Sequence, residues 1–249
     1  MTKTLILIPA RMAATRLPGK PLLKINNLSI ISHVFKRAEE ANIGEVVVAT
    51  EDQEIFTDVL ENGGKAILTN KNHKTGTDRI FEAYKKLDIK NIDYILNLQG
   101  DEPDINKDDI INLNNCMINQ DAGLGTLAAK IQDNEMLNNK NVVKVITEKK
   151  LVEKNFPKAL NFTRDNLSIY NQNIYHHIGI YSYKTSVLEK YVKLEQTNNE
   201  KKNQLEQLRA LDNKLKINVA LAKSSPIGVD TKEDYLAIKK IMEYKIKDE

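Results

Sequence analysis

Three short apolar runs most constrain the fold of this chain: Leu5-Ile6-Leu7-Ile8, Val46-Val47-Val48-Ala49 and Tyr94-Ile95-Leu96-Asn97-Leu98. Runs that are apolar at successive positions read as strands covered on both faces, the pattern of a parallel sheet rather than of a one-sided one. Helical patterns lie between them. Ile30, Ile31, Val34, Phe35 and Ala38 recur at helical spacing, with Lys36, Arg37, Glu39 and Glu40 interleaved. Thr50, Glu51 and Asp52 can cap a second helix from Gln53 to Glu61, which Gly63-Gly64 stops. Lys65 to Leu68 reads as another strand, and Ile80, Ala83, Tyr84 and Leu87 mark a further helix. Alternating strands and helices predict an α/β fold, doubly wound, with a mostly parallel sheet and right-handed crossovers. Such sheets bind ligands at the C-terminal ends of their strands, and here those ends carry Arg11, Asp52 and Asp101.

The second half is less regular. Gly123 to Ala128 matches the dinucleotide pattern G-x-G-x-x-A, but Asn119, Gln120 and Asp121 precede it and a strand-like run through Ile131 follows. A dinucleotide fingerprint needs a strand before and a helix after, so a nicotinamide or flavin site is excluded. Val142 to Ile146 predicts a strand. Asn155 to Tyr175, rich in Asn and polar residues, is expected to be an inserted lobe or interface element. His176 to Tyr183 returns to a strand, on which adjacent His176 and His177 face opposite sides and cannot share a metal. Residues 197 to 211 predict one polar helix with a packing stripe of Leu205, Leu208 and Leu211; the plainer role for Glu206 and Gln207 there is as surface residues. Ile217 to Ala222 is a last strand, Ser225 to Thr231 a turn, and Lys232 to Lys245 a final helix presenting Tyr235, Ile238, Ile241 and Met242 on one face. With no repeats, one domain spanning 1–249 is expected, with a lobe at about 150–195.

Composition removes several function classes. A net charge of +3 arises from 37 basic and 34 acidic residues scattered along the chain, and aromatics make up only 6%, with no Trp. That argues against nucleic acid, which asks for clustered cations and exposed stacking rings. No run of about 18 apolar residues predicts a membrane span, and the N-terminus lacks a signal-peptide pattern. The lone cysteine, Cys116, can form no internal disulfide and sits in a helix-like apolar pattern that predicts a core position. A reducing cytoplasm is the expected location.

The richest chemistry follows the first strand, where Arg11, Arg16 and Lys20 sit on one short loop. Pro9 and Pro18 fix φ, and Gly19 can adopt φ > 0, so the loop is expected to be rigid with backbone amides turned toward an anion. It is not a Walker A loop, because Ala14 and Pro21 stand where Gly and Ser/Thr are required. A solvated basic loop is the plainer reading; the position after the first strand favours a polyphosphate. Thr75, Gly76, Thr77 and Arg79 open a helix and offer amides and hydroxyls to a polar ligand, though ordinary helix starts look the same. Asp101, in Gln99-Gly100-Asp101-Glu102-Pro103, and Asp230, in Gly228-Val229-Asp230, are candidate Mg²⁺ ligands, since that ion takes one or two carboxylates beside phosphate oxygens. Turn or cap roles are the alternative for both.

Six motifs carry a resemblance: I-P-A-R-x-x-x-T-R-L-P-G-K-P-L at Ile8 to Leu22, T-G-T-D-R at Thr75 to Arg79, L-Q-G-D-E-P at Leu98 to Pro103, H-x-G-I-Y at His177 to Tyr181, L-E-Q-L-R at Leu205 to Arg209, and G-V-D-T-x-E-D at Gly228 to Asp234. In this order they resemble the 3-deoxy-manno-octulosonate (Kdo) cytidylyltransferase, or CMP-Kdo synthetase, family. The resemblance implies a Rossmann-like nucleotide-diphospho-sugar transferase fold with a small inserted dimerisation lobe, a homodimer, Mg²⁺, and formation of CMP-Kdo and diphosphate from CTP and Kdo for lipopolysaccharide. It implies that Arg11, Arg16 and Lys20 hold the triphosphate and that Thr75, Gly76, Thr77 and Arg79 lie near the cytidine. Pro9, Ala10, Thr15, Gln99 and Asp101 complete the nucleotide set. Asp101 and Asp230 are implied metal ligands, with Lys20 and Arg16 beside them as catalytic residues. Gln99, Arg164, His177, Tyr181, Glu206 and Gln207 are implied contacts of the sugar acid.

Three departures fall on the sugar or interface side. Arg164-Asp165-Asn166-Leu167-Ser168 replaces the usual R-A-x-I-P, Thr197-Asn198-Asn199-Glu200 replaces S-P-L-E, and Asp212 replaces an aromatic residue. The acceptor is therefore left open between Kdo and a related 2-keto-3-deoxy sugar acid such as 8-amino-Kdo. A non-catalytic CTP-binding protein is the reading from another class.

Overall fold

In the computed structural model, which describes residues 2–13, 16–165 and 173–245, the chain divides into two compact units. The first comprises residues 3–107 and 226 onward. Its elements are β1 (Thr4–Ala10), the small hairpin β2 (Lys24–Ile25) and β3 (Leu28–Ser29), α1 (Ile30–Glu40), β4 (Gly44–Thr50), α2 (Gln53–Glu61), β5 (Ala66–Leu68), α3 (Gly76–Leu87) and β6 (Tyr94–Asn97). The sheet order is β6-β1-β4-β5, and every pairing is parallel. As expected of strands covered on both faces, Leu5, Ile6, Leu7, Ile8, Val48, Ala49, Ile95 and Leu96 are fully buried.

Local chemistry starts the helices. Ser29 caps α1 by accepting from Ser32 N, and Thr75 caps α3 by accepting from Asp78 N. Asp52 departs from expectation: it occupies the cap position of α2 but makes no side-chain cap bond there. Its carboxylate instead accepts from the Met12 amide of the basic loop at 2.7 Å.

The second unit comprises residues 108–225. It contains α4 (Lys107–Asn119) from its second residue onward, β7 (Leu124–Ala129), α5 (Asn134–Asn138), β8 (Lys144–Thr147), β9 (Ala159–Thr163), β10 (Ile174–Lys184), α6 (Thr185–Tyr191), α7 (Asn198–Asn203), α8 (Leu208–Asp212) and β11 (Asn218–Leu221). β11 pairs parallel with β7, and the remaining pairings, β7 with β10, β10 with β8 and β8 with β9, are antiparallel. The stretch at about 150–195 lies inside this unit. β7 occupies the G-x-G-x-x-A segment as a buried strand, in accord with the rejection of a dinucleotide turn. A Cβ on Gly125 meets Phe156 Cζ at 2.5 Å and Met117 Sδ at 2.6 Å, so that glycine serves packing.

α9 (Lys232–Lys245) returns to the first unit, where Ile238 and Met242 pack with Ile25, Ile30 and Val229. Ile241, expected on the same face, is exposed instead, because it lies on the other side of Ile238 from Tyr235 and Met242, off the narrow buried stripe. Cys116 is half-buried rather than core: it sits beside the buried Met117 on α4 and directs Sγ toward Asn112 Oδ1. The single helix expected over 197–211 is two. Gln204 adopts φ 53°, a left-handed conformation that ends α7 and lets Leu205 and Leu208 both turn inward. No helix among the described residues is long and apolar enough to cross a membrane.

Candidate active site

At the C-terminal ends of β1 and β6 the first unit opens into a cavity of about 350 Å³. Pro9, Ala10, Arg11, Arg16, Lys20, Thr75, Gly76, Arg79, Gln99, Asp101 and Asp230 all line it. Thr77 does not; it is buried in α3. Thr15 lies outside the described residues. Ala13, Pro21, His73, Lys74 and Gly100 complete the wall without having been singled out. Lys74 and His73 directly precede the Thr75 motif, and that adjacency was the available signal.

The basic loop is braced by its own backbone. Gly19 takes φ 72°, as its place between Pro18 and Lys20 predicts, and its amide donates to Met12 O at 3.3 Å. Lys20 to Leu22 then form one 3-10 turn with Pro21 inside it. Gly76 and Gly100 allow close approach to β1: a Cβ on Gly100 meets Pro9 O and Ile31 Cδ1, each at 3.0 Å, and one on Gly76 meets Pro9 Cγ at 3.2 Å.

Two carboxylates far apart in sequence converge here. Val229 N donates to Asp101 O at 2.9 Å, tying the turn before α9 to the turn after β6. Asp234 accepts from Asp230 N and Thr231 N, and Thr231 Oγ1 accepts from Asp234 N, which fixes that turn. Lys20 Nζ then lies 2.8 Å from Asp101 Oδ2 and 3.3 Å from Asp230 Oδ1, and Arg16 reaches Asp230 at 2.9 Å. Burial pulls the Lys20 pKa down, but the two aspartates more than offset it and the ammonium is held above its ordinary value. Burial, and then the neighbouring Asp101, push Glu102 up to about 8; its Oε2 has no partner among the described residues.

Arg79 is committed differently from the loop cations. Its guanidinium is buried, pairs with Glu51, and donates to Thr69 Oγ1 at 2.6 Å. Its charge is thus matched from within, and it supports the wall rather than adding free charge. His73 pairs with Glu82, which also accepts from Lys86 and from Asn70 N. Burial alone raises the Glu82 pKa; Lys86, the Asn70 amide and His73 together bring it to about 2.

Among the described residues no cluster of three or more His, Cys, Asp or Glu side chains forms a ready metal cage. Asp101 and Asp230 nevertheless fit Mg²⁺, because both already reach one cation, the Lys20 ammonium, and that ion usually takes its remaining ligands from phosphate and water.

In the second unit β10 is interrupted by a register shift between Ile178 and Tyr181. Thr126 fills this bulge. Its Oγ1 lies 2.7 Å from Ile180 O, to which it donates, and accepts from His177 Nε2 at 3.0 Å. The bulge brings the His177 and Tyr181 rings to 5.5 Å between centroids. His176 turns the other way, to Ser225 Oγ at 2.7 Å, as strand alternation predicts. The Tyr181 hydroxyl is buried and has no partner among the described residues. Gln207 is buried and Glu206 half-buried. Arg164 Nη1 donates to the Lys140 and Asn141 carbonyls. Of the departures, Asn166 to Ser168 lie outside the described residues. The other two meet: Asp212 accepts from Thr197 Oγ1 at 2.5 Å and from Asn199 Nδ2 at 3.1 Å.

Comparison with known proteins decides the family. The cytidylyltransferase family model matches residues 5–217. The chain is 43% identical to the 3-deoxy-manno-octulosonate cytidylyltransferase of Nitrobacter hamburgensis, over 97% of this chain and 93% of that one, and 44% identical to the enzyme of the same name from Rhodopseudomonas palustris, over 97% and 98%. The chain belongs to the 3-deoxy-manno-octulosonate cytidylyltransferase family. A solved CMP:2-keto-3-deoxy-manno-octonic acid synthetase complexed with CTP superposes with a TM-score of 0.88 at 34% identity, covering 98% of this chain and all of that one. The nucleotide-diphospho-sugar transferase fold expected from the motifs is thereby borne out, and the cytidylyltransferase family membership makes this chain a nucleotidyltransferase.

Proposed function

We propose that this protein transfers a cytidylyl group from CTP to Kdo, releasing diphosphate and forming CMP-Kdo for lipopolysaccharide. The observation that carries this reading is the convergence of Lys20 and Arg16 on Asp101 and Asp230 in a cavity that Arg11 and Lys74 also line. Four cations against two carboxylates suit a triphosphate that arrives with a divalent ion. The names of its relatives and the CTP bound in the solved synthetase support the choice of nucleotide and acceptor.

The anomeric hydroxyl oxygen of the acceptor attacks the α-phosphorus in line. The bond from that phosphorus to the bridging oxygen breaks, diphosphate departs with the electron pair, and the hydroxyl proton passes to solvent. This chemistry asks chiefly for positioning and charge neutralisation. Arg11, Arg16 and Lys20 take the negative charge of the triphosphate and of the leaving diphosphate, while the Thr75 and Gly76 helix start faces the nucleotide. Asp101 and Asp230 would hold Mg²⁺, which when bound would supply positive charge beside the phosphates. We assign Gln99, Arg164, His177, Tyr181, Glu206 and Gln207 to the sugar acid. In support, the buried Tyr181 hydroxyl, which has no hydrogen-bond partner among the described residues, is a polar group that a sugar oxygen would satisfy.

A cytoplasmic homodimer completes the reading. The homodimer rests on the family resemblance, and sedimentation velocity tests it. The deciding experiment measures diphosphate release from CTP with Kdo, 8-amino-Kdo and sialic acid, with and without Mg²⁺. Mg²⁺-dependent release with Kdo is expected. Release only with another acid moves the acceptor, and CTP binding without release under any condition overturns the enzymatic reading.

A further inference from the structure

We infer that Tyr191 is a positioning residue that sets Glu206 for the acceptor sugar, through a platform made by the buried Arg209–Glu200 pair. The inference rests on the proposed contact between Glu206 and the sugar acid. Glu206 lies in the connection from Gln204 to Gln207, between α7 and α8, where its carbonyl also accepts from Arg209 N at 3.0 Å. Gln204, with φ 53°, starts this connection in a conformation that an L-residue adopts only when its surroundings compel it.

The surroundings do so from three sides. Tyr191, at the end of α6 and 2% exposed, donates its hydroxyl to Glu206 O at 2.9 Å and lies 3.4 Å from Glu206 Oε1. One phenol thus touches both the backbone and the carboxylate of the residue proposed to meet the sugar. The Arg209 guanidinium covers the Tyr191 ring at 5.2 Å from its centroid. Arg209 is in turn held by a two-pronged pair with Glu200, Nε to Oε2 at 2.8 Å and Nη2 to Oε1 at 2.5 Å, both side chains being buried. Glu200 also closes the capping box of α7 with Thr197. Each end of the connection is therefore tied to the same ion pair, Glu200 ahead of it and Arg209 behind it.

A buried ion pair is a poor device for stability alone, since apolar side chains of similar volume often serve as well. A planar fork that fixes one guanidinium over one ring is a good device for geometry. The platform orients the Tyr191 hydroxyl, and the hydroxyl orients Glu206.

The test compares Tyr191→Phe, Arg209→Lys and Glu206→Gln in the full chain, with steady-state kinetics for both substrates. Tyr191→Phe removes one hydrogen bond and keeps the ring under Arg209. It is expected to raise KM for the sugar acid about tenfold, within the worth of one intramolecular hydrogen bond, while kcat and KM for CTP stay within about twofold. Arg209→Lys keeps the charge but loses the fork, and is expected to shift the same constant in the same direction. A larger sugar KM in Glu206→Gln with wild-type constants in Tyr191→Phe overturns the positioning role and leaves the proposed function standing. Unchanged sugar KM in Glu206→Gln overturns both the sugar contact and this inference. Loss of kcat together with both KM values in Tyr191→Phe identifies a merely structural tyrosine and also overturns it.

Discussion

Lys20 Nζ lies 2.8 Å from Asp101 Oδ2, although the two residues are 81 positions apart. The pair is largely sheltered, with side-chain exposures of 12% and 31%. The same ammonium reaches Asp230, so a cation already occupies the place between two carboxylates.

If Lys20 and Asp101 work on the triphosphate, removing either charge should cost turnover rather than fold. Losing one preorganised contact to developing charge costs about 2.7–4 kcal/mol, or about 10²–10³ in rate. Lys20→Ala and Asp101→Asn are each expected to lose at least that much kcat in a diphosphate-release assay, with an unchanged circular dichroism spectrum. Near-wild-type rates would remove both from the site.

Lys20 should also compete with a metal ion. Its removal leaves Asp101 and Asp230 without their shared cation, apart from the exposed Arg16 contact to Asp230. Without nucleotide, Lys20→Met is expected to bind Mn²⁺ at least about tenfold more tightly than the wild type, a gain of about 1.4 kcal/mol. Titration followed by electron paramagnetic resonance reads this without any turnover. Equal affinities would show that the two aspartates do not form one cation site.

Gly100 separates Gln99 from Asp101 and lies against the Pro9 carbonyl. A methyl group there meets that backbone oxygen and Ile31 Cδ1 at 3.0 Å, and the backbone oxygen cannot swing aside. Gly100→Ala is expected to move the Asp101 turn and lower kcat/KM for CTP by about 10²-fold, the cost of a misplacement near 1 Å. An unaltered kcat/KM would mean the turn tolerates displacement.

Acid should weaken the fold through His177. Burial, and then the neighbouring His176, hold its pKa down at about 3 against an ordinary 6.5. Between those values the unfolded chain binds the proton and the folded chain does not, so stability falls as pH drops from about 6.5 toward 3 and is fully present above. The slope is about 1.4 kcal/mol per pH unit, which for a chain of this size corresponds to roughly 2–4 °C in Tm per kcal/mol. His177→Gln keeps a donor for Thr126 and is expected to lose less Tm than the wild type between pH 7 and 5.5 in scanning fluorimetry. Parallel curves would contradict a buried neutral His177.

Much of the first unit was legible because its signals are local. Apolar runs marked the strands, Gly63-Gly64 ended α2, and Gly19 between Pro18 and Lys20 foretold its positive φ. Side-chain partners were not legible in the same way. Asp52 reads as a cap until the chain brings the Met12 amide to it, and 197–211 reads as one helix until Glu200 and Arg209 pair and turn the chain at Gln204. Period and propensity report which face is apolar; they do not report which distant donor a carboxylate will meet. His73 and Lys74 were missed because their signal was only their adjacency to Thr75.

By itself the sequence determined the mostly parallel α/β class, the cationic loop after β1 and the motifs that name the family. Each of these is written in contiguous residues whose chemistry acts over a few bonds. Tertiary structure alone decided that Asp101 and Asp230 share one cation, that Arg79 is neutralised by Glu51, and that Tyr191 holds Glu206. Those relationships depend on backbone bonds such as Val229 N to Asp101 O, which close long loops only once the sheet has formed.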